Sequence, residues 1–242
     1  MAETRPLTRR ELFRISAAGG IAAAAGWHAG LRLGEAQTPP ARTPKEALDA
    51  LKAGNYRYAQ RPGTTTSLSP AKMKEIRKAT ETSQAPFAAV LCCADSRVPP
   101  ELVFDQTIGQ VFVVRVAGNI VTPDSLASLE YAVTMLPKPD NLSVRLIMVL
   151  GHADCGAVSA AVDVKTAPGQ ISALYPPIRA VIGSARGEAA EKANAKAQAL
   201  LIRQASTVVK NRLTPPDQPG GLDVVAAYYN VATGEVSPVP LT

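Results

Sequence analysis

Three side chains that bind soft metal ions stand out in the sequence: Cys93, His152 and Cys155. An apolar run with the length of a buried strand, at 87–91, precedes Cys93, and a second such run, at 146–150, precedes His152. Zinc accepts thiolate and imidazole ligands in a tetrahedral arrangement. Because two residues separate His152 from Cys155, a turn or a first helical turn can bring both side chains to one point. These three residues therefore predict a zinc site.

Three protein ligands leave one coordination position of zinc free for water. Bound zinc lowers the pKa of that water to roughly 7 and makes hydroxide available near neutral pH. Asp95 and Arg97 follow Cys93 by two and four residues. An arginine paired to the carboxylate would keep Asp95 ionised, so that it could accept a hydrogen bond from the zinc-bound oxygen. We expect these two residues to form a catalytic pair.

The residues alone leave a second interpretation open. Asp95 or Cys92 could supply a fourth ligand, which would give a closed structural zinc and a non-catalytic, zinc-stabilised binding module. Side chains alternate across a strand, so Cys92 should face away from Cys93 and lie in the core as a small hydrophobic residue. A redox role for the adjacent cysteines is disfavoured because the chain has no Cys-X-X-Cys pair.

Alternating strands and helices are predicted to position these residues. The strands are expected at 87–93, 111–116 and 144–150, with a closing hairpin of 222–231 and 236–239. Their nearly continuous apolar character predicts an α/β fold in which helices flank a central, mostly parallel sheet of four to five strands. Ligands gather at the carboxyl ends of the strands in such sheets, which is where Cys93 and His152 are placed.

Helices are expected between and before the strands. They are predicted over 44–60 as an N-terminal helical arm, 70–80, 124–136, 155–164 and 187–212, with a short helix or turn starting at 99. Thr43, Ser69 and either Asp124 or Ser125 are the expected N-caps. The segment 168–177 is expected to be irregular.

Length and composition fit one globular domain with a sizeable core, since the chain has 242 residues and 46% hydrophobic content. The formal charge of +6 comes with no basic block that carries interleaved aromatic residues, so no nucleic-acid partner is expected. Three cysteines, two of them adjacent, make a poor disulfide framework.

The first 36 residues resemble an export signal. Residues 8–14 read Thr-Arg-Arg-Glu-Leu-Phe-Arg, close to the twin-arginine pattern, and an Ala/Gly-rich stretch and a small-residue cleavage site ending at Ala36 follow. We expect 1–36 to be removed and 37–242 to form the catalytic domain, periplasmic or otherwise exported, without a stable membrane anchor after processing. The alternative is a disordered cytoplasmic extension.

The two metal-ligand segments together resemble the paired signature of the β-class carbonic anhydrases. They read Cys-Ala-Asp-Ser-Arg at 93–97 and Gly-His-Ala-Asp-Cys-Gly at 151–156, and the segments 47–55, 111–119 and 128–132 also fit. The resemblance implies reversible hydration of CO2 to bicarbonate and a proton through zinc-bound hydroxide. By matching position it implies Zn²⁺ on Cys93, His152 and Cys155, with Asp95 and Arg97 as the catalytic dyad.

The resemblance also implies a substrate pocket and an assembly. Gln84 and Gly156 fall at substrate-binding positions. Phe112 and Tyr131 fall where family members line the substrate pocket, largely from a partner subunit. At least a homodimer is therefore expected. Val116 departs from the family pattern, since many members have Asn there. Family members in which the dyad aspartate closes the zinc site typically carry a different residue at the position of Gln84. The resemblance therefore favours a permanently open site.

A second activity is compatible with the same resemblance. Similar sites hydrolyse carbon disulfide or carbonyl sulfide, and the shape of the access tunnel separates those enzymes from CO2 hydratases. Sequence spacing does not determine that shape, so both substrates stay open at this point.

Overall fold

Five β-strands form one sheet at the centre of the computed structural model, which describes residues 41–60, 69–136, 144–163 and 166–242. The strands are β1 (Ala88–Cys92), β2 (Val111–Arg115), β3 (Leu146–His152), β4 (Asp223–Tyr229) and β5 (Val236–Val239). Their order across the sheet is β2-β1-β3-β4-β5. All neighbours are parallel except β4 and β5, which form an antiparallel hairpin, so the predicted mostly parallel sheet is confirmed.

The helices lie before, between and after these strands. They are α1 (Pro44–Gln60), α2 (Pro70–Ala79), α3 (Pro100–Val103), α4 (Pro123–Thr134), α5 (Gly156–Asp163), α6 (Tyr175–Ile182), α7 (Gly187–Ala205) and α8 (Thr207–Lys210). Short 3₁₀ segments cover Ala117–Asn119 and Gly169–Leu174. Among the described residues, no helix combines the length and the apolar character that crossing a membrane would need.

Hydrophobic clusters cover both faces of the sheet, which explains why β1 and β3 are apolar at almost every position. On one face, Leu91 and Val149 pack with α4 and α7 residues such as Leu129 and Ile202. On the other face, Val90, Cys92, Met148 and Leu150 pack with residues of α1 and α3, including Leu51 and Val103. A parallel sheet buried on both faces needs strands of this composition.

Several predicted boundaries are confirmed and others are wrong. Ser69 caps α2 with its side chain, as expected, but Thr122 rather than Asp124 or Ser125 caps α4. Ser125 is instead the third helical residue, and its hydroxyl accepts a hydrogen bond from the Thr122 N–H in a capping box. Strand β3 continues through His152, two residues beyond the predicted end.

Two secondary-structure predictions need correction in the last third of the chain. The helix predicted over 187–212 ends at Ala205, because the Ser206 backbone is extended and its side chain caps the separate helix α8. The segment 168–177 is not irregular but contains a 3₁₀ segment and the start of α6. Pro176 and Pro177 occupy the first turn of α6, where a missing N–H costs no intrahelical hydrogen bond.

Some predictions lie outside the described residues. The export signal at 1–36 and its boundary with the rest of the chain are among them, as are the loop at 63–68 and the connection at 137–141. Every described residue belongs to one compact unit, which spans Pro39–Thr242.

Candidate metal centre

The carboxyl ends of β1 and β3 bring the predicted ligands together. The two strands are neighbours in parallel register, with Cys92 opposite Leu150. Cys93 therefore leaves β1 at the level where β3 ends in His152, and Cys155 immediately precedes α5. The ligand atoms of the three residues all lie within 4.8 Å of one another, and all three side chains are buried.

The donor set fits zinc. The Sγ atoms of Cys93 and Cys155 are 4.0 Å apart. Two thiolates at tetrahedral zinc, each about 2.3 Å from the metal, would be about 3.8 Å apart. Nδ1 of His152 lies 2.9 Å from the carbonyl oxygen of Ala153, which can only accept, so Nδ1 carries the hydrogen. That tautomer leaves a lone pair on Nε2, a buried atom without a hydrogen-bond partner among the described residues.

Hydrogen bonds and burial give the two sulfurs unequal acidity. The thiol of Cys155 donates to Cys93, and this bond lowers the pKa of Cys93 although burial opposes the shift. The same bond, together with burial, raises the pKa of Cys155. Burial lowers the pKa of His152, but the neighbouring Cys93 thiolate outweighs it and the net shift is upward. A divalent cation is the natural replacement for a proton shared between two buried sulfurs.

Backbone N–H groups stabilise the Cys93 thiolate. The N–H groups of Asp95 and Gly118 donate to its Sγ over 3.4 and 3.3 Å. Gly118 has φ +74°, and a Cβ there would lie 2.8 Å from Cδ1 of Ile178. Any other residue would therefore be strained and crowded at this position. Glycine lets the peptide turn its N–H towards the sulfur.

Arg97 holds the carboxylate of Asp95. Its Nε donates to Oδ1 over 2.9 Å and its Nη2 donates to Oδ2 over 2.7 Å, while the Arg97 backbone N–H also donates to Oδ1 over 2.9 Å. The bidentate pair holds the pKa of Asp95 well below its usual range, although burial opposes the shift. Nη2 of Arg97 donates to the carbonyl oxygen of Asp154 as well, over 3.1 Å.

The two residues considered as a fourth ligand lie elsewhere. Within the described ranges, the group of potential metal ligands at this site contains Cys93, His152 and Cys155 but neither Asp95 nor Cys92. Cys92 is buried among apolar residues on the face of the sheet covered by α1 and α3, as the strand alternation predicts. Burial raises the pKa of its thiol to about 12.

The remaining predicted site residues have varied surroundings. Gln84 is exposed in the segment before β1, and Tyr131 on α4 is 50% exposed. Phe112 on the edge strand β2 is half-buried against the core cluster of α4 and α7. Gly156 opens α5, and a Cβ there would meet nothing within 4 Å. Their contribution to a substrate pocket stays a prediction.

Sequence reasoning missed residues that support the centre. Nε of Arg115 donates to the Cys93 carbonyl over 3.2 Å, and its Nη2 donates to the Asp95 carbonyl over 2.5 Å. Glu191 on α7 accepts a hydrogen bond from the Cys155 N–H over 2.8 Å. The one available signal was the presence of Glu191, Asn194 and Gln198 on a single face of a helix that is otherwise rich in alanine.

A cavity of about 700 Å³ lies away from this centre. Most of its lining comes from α1, β4 and β5, and apolar residues such as Leu48, Phe104 and Val236 predominate. None of the predicted site residues contributes to it. The candidate metal centre is therefore identified by the geometry of its ligand atoms, and not by the presence of a large cavity around them.

Comparisons with known proteins agree on one family. A family profile described as carbonic anhydrase matches residues 88–236. Carbonic anhydrase 2 of Mycobacterium tuberculosis is 45% identical over 123 residues, which cover 50% of this chain and 54% of that protein. The carbonic anhydrase of Mycolicibacterium smegmatis is 44% identical over 121 residues, with the same coverage of 50% and 54%. The chain thus spans about half the length of the curated relatives it matches.

Solved structures show the same fold. The β-carbonic anhydrase CafA of Aspergillus fumigatus superimposes with a TM-score of 0.59 at 25% identity, covering 71% of this chain and 84% of that one. The Coccomyxa β-carbonic anhydrase in complex with acetazolamide superimposes with a TM-score of 0.57 at 30% identity, covering 70% and 78%.

Separate substitutions of the adjacent cysteines test the assignment of the centre. Cys93→Ala removes a ligand and is expected to abolish stoichiometric zinc. Cys92→Ala is expected to retain zinc and to lower the free energy of unfolding by about 1 kcal/mol, since it removes one buried sulfur from the core. Metal analysis and urea unfolding of both variants provide the measurement. Loss of zinc in Cys92→Ala with retention in Cys93→Ala would contradict the assignment.

Proposed function

This chain belongs to the carbonic anhydrase family, and on that premise we propose that it catalyses the zinc-dependent, reversible hydration of CO2 to bicarbonate and a proton. One observation carries the proposal. A Cys-His-Cys donor set lies beside a carboxylate whose two oxygens are both held by an arginine. A metal site that served stability alone would need the first feature but not the second.

The roles of the ligands follow from the donor geometry. Cys93, His152 and Cys155 would hold the zinc ion, with Nε2 of His152 as the nitrogen donor. Zinc, when bound, would act as a Lewis acid and lower the pKa of a water molecule to about 7. The Ala153 carbonyl fixes the imidazole tautomer, and the N–H groups of Asp95 and Gly118 stabilise the Cys93 thiolate.

Asp95 is the residue that would orient the reacting water. Its pairing with Arg97 lowers the pKa of the carboxyl, so the group stays ionised and can only accept a hydrogen bond at neutral pH. By accepting a hydrogen bond from the reacting water, Asp95 would hold the water proton on its own side, so that a lone pair of the water oxygen would point towards CO2. Arg97 positions the carboxylate, and the Asp154 carbonyl helps to fix the guanidinium.

The arrangement also bears on the competing interpretations. A non-catalytic zinc module would use a fourth protein ligand, whereas Asp95 is turned towards Arg97. Hydrolysis of carbon disulfide or carbonyl sulfide would use the same ligands and the same pair. We favour CO2 because the relatives named above are carbonic anhydrases, and direct assays of both substrates distinguish the two activities.

Asp95→Asn tests the proposed reaction. The amide keeps the size of the side chain but presents a donor as well as an acceptor, so we expect kcat/KM for CO2 to fall by about 10²- to 10⁴-fold. Zinc content should not change, because Asp95 is outside the ligand group. Stopped-flow assays with a pH indicator measure the rates.

Asp163→Asn provides the matched control, since Asp163 is an exposed carboxylate at the end of α5. It should retain the wild-type rate. Full activity of Asp95→Asn would contradict the role of the dyad. A zinc-loaded wild type that hydrolyses carbon disulfide but not CO2 would overturn the proposed substrate.

We also propose that the chain forms a homodimer or a larger homo-oligomer. Large apolar side chains are exposed on the described surface, among them Leu102 at 63%, Tyr131 at 50% and Met135 at 67%. Exposed apolar residues of this kind are typical of interfaces when they are contiguous. A subunit contact at α4 would bury Tyr131, which the family resemblance places at the pocket.

Light scattering tests this assembly. The wild type is expected to have at least twice the monomer mass at micromolar concentration, and Tyr131→Glu is expected to shift the protein towards monomer. Leu201→Glu, a charge introduced at a 39% exposed position of α7, serves as the control. A monomeric wild type would contradict the proposal.

Export through the twin-arginine route is our proposal for residues 1–36, and it rests on the sequence pattern around Arg9 and Arg10. Replacing both arginines by lysine is expected to retain the protein in the cytoplasm of a bacterial host, because the twin-arginine export pathway recognises the arginine pair. Cell fractionation with immunodetection measures the distribution. Equal distribution of the wild type and the double variant would contradict it.

A further inference from the structure

Helix α7 carries three polar side chains on the face that it turns towards the core. Glu191, Asn194 and Gln198 are 5%, 0% and 1% exposed. Their spacing of three and four residues places them in one stripe along the helix. A core-facing stripe is normally apolar, and a buried polar group is costly unless hydrogen bonds satisfy it. The hydrogen-bond partners of this stripe therefore explain why it is polar.

Two of these side chains contact the segments that carry the cysteine ligands. Oε1 of Glu191 accepts a hydrogen bond from the N–H of Cys155 over 2.8 Å. Nδ2 of Asn194 donates to the carbonyl oxygen of Gly118 over 2.8 Å, and the N–H of Gly118 donates to Cys93 Sγ. One helix thus contacts the peptide N–H of Cys155 and the residue, Gly118, whose own N–H stabilises the Cys93 sulfur.

Gln198 extends the stripe away from the centre. Its Nε2 donates to Oδ1 of Asn194 over 3.2 Å, and its Oε1 accepts from the N–H of Val121 over 2.8 Å. The two bonds orient the Asn194 amide, so that its NH2 group faces Gly118. The network is continuous from Val121 to Gly118.

The second carboxyl oxygen of Glu191, Oε2, also accepts a hydrogen bond from a residue in the core. The hydroxyl of Tyr228 on β4 donates to Oε2 over 3.0 Å. Burial, followed by the Glu191 contact, raises the pKa of Tyr228, so the phenol remains a donor across the neutral range. Two donors from different elements therefore fix the carboxyl group, and the group in turn fixes the start of α5.

We propose that Glu191 is a positioning residue of the metal centre. By accepting the Cys155 N–H, it sets the position of that residue's backbone and hence the spacing of the two sulfurs. Zinc affinity should then depend on Glu191 beyond its effect on folding. The inference rests on the proposed zinc site. Partners that orient metal ligands are typically worth 10- to 100-fold in metal affinity.

Three variants separate positioning from general stabilisation. Glu191→Ala removes the acceptor. Glu191→Gln keeps an oxygen for the Cys155 N–H and offers its NH2 group to the Tyr228 oxygen, so it should rescue the arrangement. Ile202→Ala is the control, because it deletes a fully buried side chain of the same helix away from the ligands.

The readouts do not depend on activity. Competition with a chromophoric chelator gives the zinc affinity at a temperature where every variant is folded. The absorption bands of the cobalt-substituted proteins report the thiolate geometry, and urea unfolding of the metal-free proteins reports stability. Zinc binding by the wild type is measured first, since its absence would contradict the proposed function rather than this inference.

We expect zinc affinity to fall by about 10- to 100-fold in Glu191→Ala, with altered cobalt bands. Glu191→Gln and Ile202→Ala should stay within about threefold of the wild type. Unchanged affinity and spectrum in Glu191→Ala would overturn the inference, as would an equal loss in Glu191→Gln. If Glu191→Ala does not fold, Glu191→Asp replaces it, since it retracts the acceptor by one methylene. Equal zinc affinity of Glu191→Asp and Glu191→Gln would then overturn the proposal.

Discussion

Parallel pairing of β1 with β3 is the constraint on which the candidate metal centre depends. Because both strands run in the same direction in register, the chain leaves them at one edge of the sheet. Cys93 and His152 are 59 positions apart in the sequence but emerge side by side there. The turn after β3 then adds Cys155 to the same point. Any shift in the register of this pair would separate the donors.

Strand alternation assigns different roles to the adjacent cysteines. Cys92, the last residue of β1, packs into the core under α1 and α3, while Cys93 lies with His152 and Cys155. Beyond the strand, the chain turns so that Asp95 is held by Arg97 and its N–H reaches the Cys93 sulfur. A few residues thus provide a candidate metal ligand, a donor that stabilises its sulfur, and a carboxylate whose lowered pKa keeps it ionised.

The sequence was most informative where the chemistry is local. The apolar strands, the ligand spacing and the Asp95–Arg97 pair follow from neighbouring residues, and the parallel sheet follows from strand composition. The segment 168–177 is expected from the sequence to be irregular, but α6 begins within it, because a first helical turn tolerates Pro176 and Pro177. The contact of Glu191 with Cys155 joins residues 36 positions apart, so only the packing of α7 on the sheet shows it.

X-ray absorption at the zinc edge of the purified, zinc-loaded wild type is the most direct test of the central claim. Our account predicts one zinc ion per chain with two sulfur scatterers at about 2.3 Å, from Cys93 and Cys155, and one imidazole ligand. Three sulfur scatterers would place Cys92 on the metal and contradict the separation of the adjacent cysteines. A single sulfur scatterer, or failure to bind zinc, would contradict the ligand set itself.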